Sequence, residues 1–123
     1  MLNDDLRIVI RKLVHDLGKY IGRTARNVRE GDWTPELVEM LLVDLYDLKG
    51  ERACQVFLRH APAEQTAFPE WRILRHLLGE LDEMEAALMQ GEPRVVHAAA
   101  EKALLVEHIL RVVLDRQEAK SAP

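Results

Sequence analysis

Cysteine, glycine, proline and aromatic residues are all scarce in this 123-residue chain. A single cysteine, Cys54, excludes an internal disulfide and any zinc site built from several thiolates, and it fits a reducing compartment. Within CQVFL it reads as a small core residue. Six glycines and five prolines leave long uninterrupted segments, and none of these keeps the two-residue alternation of a strand between turn signals. Aromatics make up 5% and no nucleic-acid-binding motif is present, so nucleic acid is not an expected partner. No apolar run approaches the roughly 18 residues of a membrane span. The opening MLNDDLRIVIRK carries Asp4 and Asp5 where a signal peptide carries basic residues. Together these absences predict a cytoplasmic protein without a membrane segment. No Gly-rich phosphate loop and no Ser-His-Asp arrangement is visible.

What is present is helical pattern. Apolar residues account for 48% and charged residues for 31% of the chain, the balance of a folded domain rather than a disordered one. One domain is expected over residues 1–119, followed by a frayed tail at 120–123. The first helix should run from about Asn3 to Arg29 and stop near Gly31. Thr34 then reads as an N-cap with Pro35 at the first helical position. A second helix runs to about Lys49 and ends at Gly50. A short helix from about Glu51 to His60 and the loop APAEQTAFP follow. Pro69 opens a long helix through Gln90, closed by Gly91, and Pro93 opens the last one through about Gln117.

The last two helices carry matching apolar stripes: Trp71, Leu74, Leu78, Leu81, Met84 and Leu88 on one, Val96, Ala99, Ala103, Val106, Leu110 and Val113 on the other. Their short connection makes them an antiparallel hairpin. The predicted fold is all-α, an antiparallel four-helix bundle with an additional short helix. Further apolar positions on this hairpin (Ile73, Leu77, Leu104, Leu105 and Ile109) suit either a homodimer or a larger single-chain core.

Charge is unevenly distributed. Residues 1–30 carry seven Lys/Arg against four acids, net +3, so the rest of the chain carries −7 of the total −4. A basic first helix suggests an acidic partner or a phosphoryl group near it. The alternative is an ordinary solvated face.

Chemistry concentrates in LVHDLGKY, Leu13 to Tyr20. At about 100° per residue, Leu6, Ile10, Leu13, Leu17, Ile21 and Val28 share one stripe, whereas His15 falls about 180° from it. It shares that outer face with Arg11, Lys12, Gly18, Lys19, Gly22 and Arg26; Asp16 lies near the border of the core stripe. An exposed histidine can be reached by another protein's active site. Nearby cations favour the neutral imidazole that attacks phosphorus, and they stabilise the phosphoryl group afterwards. Gly18 and Gly22 leave a shallow surface for docking.

His15-Asp16-Leu17-Gly18-Lys19 followed by Gly22 resembles the site of histidine-containing phosphotransfer domains, with the lysine and glycine transposed. It is also similar to the helical histidine of histidine kinase dimerisation domains. The resemblance implies His15 as phosphoacceptor with Lys19, Lys12 and Arg11 as electrostatic support. Gly18, Gly22 and Arg26 would form the docking surface for a receiver domain, without cofactor or metal. In its letters LVHDLGK also resembles the central motif of HD-type phosphohydrolases, where a His-Asp pair helps to hold metal. No earlier histidine and no room for the helix that would carry one precede His15, so a degenerate relative is what that resemblance implies. The remaining reading is a non-catalytic helical adaptor. The pairs His97/Glu101 and His76/Glu80 are spaced for metal sharing but lack companion ligands; surface pairing is the simpler expectation.

Overall fold

A computed structural model describes residues 4–31, 33–53 and 69–121. Four α-helices and one π-helical segment make up the described chain: α1 (Asp4–Glu30), α2 (Pro35–Leu45), the π segment (Tyr46–Arg52), α3 (Pro69–Gln90) and α4 (Pro93–Ser121). The fold is an all-α bundle. Cys54, the short helix predicted from Glu51 to His60 (beyond Ala53) and the APAEQTAFP loop up to Phe68 lie outside the described residues.

Helix ends follow local chemistry. Gly31 ends α1 at φ +78° and Gly91 ends α3 at φ +73°, a left-handed conformation that glycine adopts without a Cβ clash. Thr34 caps α2, its Oγ1 accepting from the Leu37 N–H at 3.1 Å, with Pro35 next. The Trp33 Nε1–H donates to the Gly91 carbonyl at 3.2 Å, which pins the α1–α2 turn to the α3–α4 turn.

Long-range pairings fix the direction of each helix. Arg11 meets Asp115 and Gly18 meets Glu107, so α4 runs antiparallel to α1. Arg23 meets Asp44 while Asp16 meets Arg52, so α2 and the π segment run back along α1. Trp33 before α2 meets Gly91 after α3, and Lys49 farther along bonds Asp82 and Glu85, so α2 and the π segment run antiparallel to α3. Each helix therefore opposes its neighbours in an up-and-down arrangement.

The core is filled by Ile10, Leu13, Leu17 and Ile21 of α1, Leu41 and Leu45 of α2, and Trp71, Leu74, Leu77, Leu81 and Met84 of α3, all buried. Ala99, Ala100 and Ala103 of α4 keep side-chain bulk low where α4 lies on its neighbours.

Three sequence expectations change. The second helix does not run as α-helix to Lys49 and stop at Gly50. It ends at Leu45 and widens into the π segment, in which the Ala53 N–H reaches back to the Leu48 carbonyl, and Gly50 lacks the positive φ of a helix stop. The extra residue per turn alters the register of the side chains beyond it. Leu48 is buried there and Lys49 lies between its two α3 acids. In α3 it is Leu77 that enters the core, and Leu78 is only half-buried. Helix α4 continues past Gln117 to Ser121.

Of the apolar positions considered for a dimer, Leu77 belongs to the core and Ile73 and Leu104 are half-buried. Leu105 at 63% and Ile109 at 45% exposure face outward. Among the described residues, no helix is long and apolar enough to cross a membrane.

Candidate functional site

His15 is exposed near the middle of α1, a helix about 40 Å long at 1.5 Å per residue. Lys12, His15, Lys19, Gly22, Arg26 and Arg29 recur at steps of four and three residues, so they line one outward stripe. All but the half-buried Gly22 are exposed. Lys12, Lys19, Arg26 and Arg29 make no ion pair with a described residue. Arg11 and Arg23 behave differently. Arg11 is half-buried and bonds Asp115 at 2.7 Å, and Arg23 bonds Asp44 at 2.5 Å. Part of the helix's positive charge is thus matched within the bundle, leaving the stripe around His15 unmatched.

Two grooves flank the stripe. The first, about 390 Å³, runs between α1 and α4 and is lined by Arg11, Val14, His15, Gly18, Lys19, Leu104, Glu107, Arg111 and Leu114. Gly18 is not the bare docking surface its residue type suggests. A Cβ at this position would lie 2.8 Å from Glu107 Oε1, so the Glu107 carboxylate occupies the space that glycine leaves. Glu107 is only 4% exposed and accepts from the Arg111 Nε–H at 2.6 Å. Burial raises its carboxyl above the ordinary value, and Arg111, His108 and His15 partly oppose that rise. Three cationic side chains, the imidazole and one buried carboxylate therefore meet in one groove.

The second groove lies between α1 and the α2–π side and is lined by Asp16, Lys19, Tyr20, Arg23, Arg26, Asp44, Asp47 and Leu48. Asp16 pairs here with Arg52 of the π segment. Tyr20 is buried; its hydroxyl donates to the Leu41 carbonyl at 2.8 Å, and Arg23 lies 5.7 Å from its ring centre. Burial raises the phenol well above its usual value, with Thr24 and Arg23 acting against the rise. His15 and Asp16, adjacent in sequence, thus belong to different grooves. Lys19 borders both.

The sequence-derived site is accordingly brought together only in part. His15, Lys19, Arg11 and Gly18 share the α1–α4 groove, Lys12 and Gly22 flank it on the stripe, and Arg26 borders the second groove. Glu107 and Arg111 were missed. The signal for Glu107 was nonetheless available: Ala100, Ala103, Glu107, Leu110 and Leu114 recur at steps of three and four residues, which puts a carboxylate on a buried stripe.

His97 Nδ1 and Glu101 Oε1 are 3.7 Å apart and His76 Nε2 and Glu80 Oε1 3.5 Å apart, pairs within single helices. Among the described residues, no group of three or more His, Cys, Asp or Glu side chains is arranged to hold a metal ion. No family model, no curated protein and no solved structure matches the chain.

Proposed function

We propose that this protein is a cytoplasmic histidine phosphotransfer module of the two-component type, with His15 as phosphoacceptor. The observation that carries this reading is the exposed His15 at the edge of a groove that also holds Arg11, Lys19 and Arg111. An exposed imidazole can enter a partner's active site, and the surrounding cations offset the charge of a phosphoryl group once it is attached. Lys19, Lys12 and Arg11 supply that support. The stripe from Lys12 to Arg29 steers an acidic partner such as a receiver domain onto the helix, an attraction that salt weakens.

Incubation with phosphorylated receiver domains, followed by intact mass at neutral pH, tests the proposal. Transfer of one acid-labile phosphoryl group to the native protein and none to His15→Gln supports it. Stable receiver phosphorylation in the presence of the native protein across a panel of donors counts against it.

A second reading, a non-catalytic helical adaptor that pairs with a second copy, is favoured by the outward-facing Leu105 and Ile109 on α4. A dimer mass that becomes monomeric in Leu105→Glu would support that role.

A further inference from the structure

Glu107 is an unusual residue to bury. A carboxylate removed from water is costly unless its partners restore the lost solvation, and a glutamine or an apolar side chain would fill the same stripe without that cost. It is also placed with some specificity. The glycine at position 18 leaves room for Oε1 against the α1 backbone, and Arg111, one turn along α4, holds the same oxygen at 2.6 Å. His15 is one turn before Gly18 on the groove's rim. The charged and titratable groups around the carboxylate are Arg111 and His108 on α4 and His15, Arg11 and Lys19 on α1.

We infer that Glu107 is a positioning residue for His15: its ionised carboxylate, lodged over Gly18 and short of direct hydrogen-bond contact with the imidazole, takes up through one intervening water the proton of the ring nitrogen that does not attack phosphorus. The inference rests on His15 as phosphoacceptor. With phosphoramidate as donor, the lone pair of the attacking ring nitrogen forms the new N–P bond while the donor's P–N bond breaks, its electron pair leaving with ammonia. The ring then carries positive charge, and its remaining N–H proton passes through the intervening water to the Glu107 carboxylate and from there to bulk solvent. A carboxyl raised by burial is a stronger base than an exposed one, which suits this task, and Arg111 keeps the carboxylate from swinging out of the groove.

Gly18 offers a lever that leaves every charge in place. An alanine there presses on the far end of a flexible side chain, so Gly18→Ala displaces the Glu107 carboxylate without disturbing the core.

The test is the rate of His15 labelling by phosphoramidate as a function of pH, read by intact mass, for the native protein, Glu107→Gln, Glu107→Asp, Gly18→Ala and His15→Gln. The helical signal of each variant verifies folding. The expected outcome is a fall of about 100-fold in Glu107→Gln, the lower end of what a positioned proton acceptor contributes. Gly18→Ala should lose less and Glu107→Asp should recover part of the rate. The native rate should fall more steeply towards acid pH than the Glu107→Gln rate, because protonating Glu107 removes the proton acceptor.

Equal rates and equal pH profiles in native, Glu107→Gln and Gly18→Ala, with labelling still lost in His15→Gln, would overturn the role of Glu107 and leave the phosphoacceptor in place. No labelling of His15 in the native protein would overturn both.

Discussion

The two grooves beside α1 hold similar sets of charged residues and use them in opposite ways. On the α2 side, Asp16 meets Arg52 and Arg23 meets Asp44, pairs between partly exposed side chains. Such pairs are typically worth about 0–1 kcal/mol each and serve mainly to set which residues face one another. On the α4 side a carboxylate is taken out of water in the same groove as an exposed histidine, with Arg111 offsetting only part of the cost. Stability does not call for that arrangement. Burial also raises Tyr20 on the α2 side, but its hydroxyl is already committed to the Leu41 carbonyl; on the proposed function the α4-side groove holds the site and the α2-side groove supports it.

His15→Gln gives the largest effect expected from this contrast: complete loss of acid-labile phosphorylation. The residue is exposed, so the thermal midpoint should barely move. Tyr20→Phe should act on the supporting side alone. Removing the hydroxyl that binds the Leu41 carbonyl should cost about 1 kcal/mol in denaturant unfolding, with labelling unchanged. Asp16→Ala sharpens the comparison most economically. It breaks an ion pair in the α2-side groove, so it should cost less than about 1 kcal/mol and leave His15 labelling within twofold of native. A loss of labelling comparable to His15→Gln would mean that the adjacent His-Asp pair acts as a unit after all.

Glu107→Gln should change stability with a defined sign. Burial holds the folded carboxyl above its ordinary value, so its contribution to stability is complete below the unfolded-state value and is lost as pH rises through the folded-state value. The glutamine variant should therefore unfold at the same temperature as the native protein near about pH 3 and at a higher temperature at pH 7. Thermal unfolding at the two pH values is the measurement.

Much of this scaffold was legible because its signals are local. Gly31, Thr34 with Pro35, and Gly91 with Pro93 mark helix ends through backbone chemistry that needs no distant partner. The outward direction of His15 likewise follows from one helix's own periodicity. What sequence reading missed depends on contacts between helices. Gly50 looks like a stop by residue type, yet the chain passes it in the π segment, with Leu48 in the core and Lys49 bonded to Asp82 and Glu85, groups more than thirty positions away. Gly18 looks bare until Glu107 arrives from α4. Asp16 looks like the companion of His15 because adjacency along the chain is easy to see, whereas on a helix neighbours in sequence point about 100° apart.

Intact mass at neutral pH after incubation with phosphoramidate, for the native protein beside His15→Gln, is the most direct test of the central claim. One acid-labile phosphoryl group on the native protein and none on the variant is the predicted result. An unlabelled native protein, or equal labelling of the two, would contradict it.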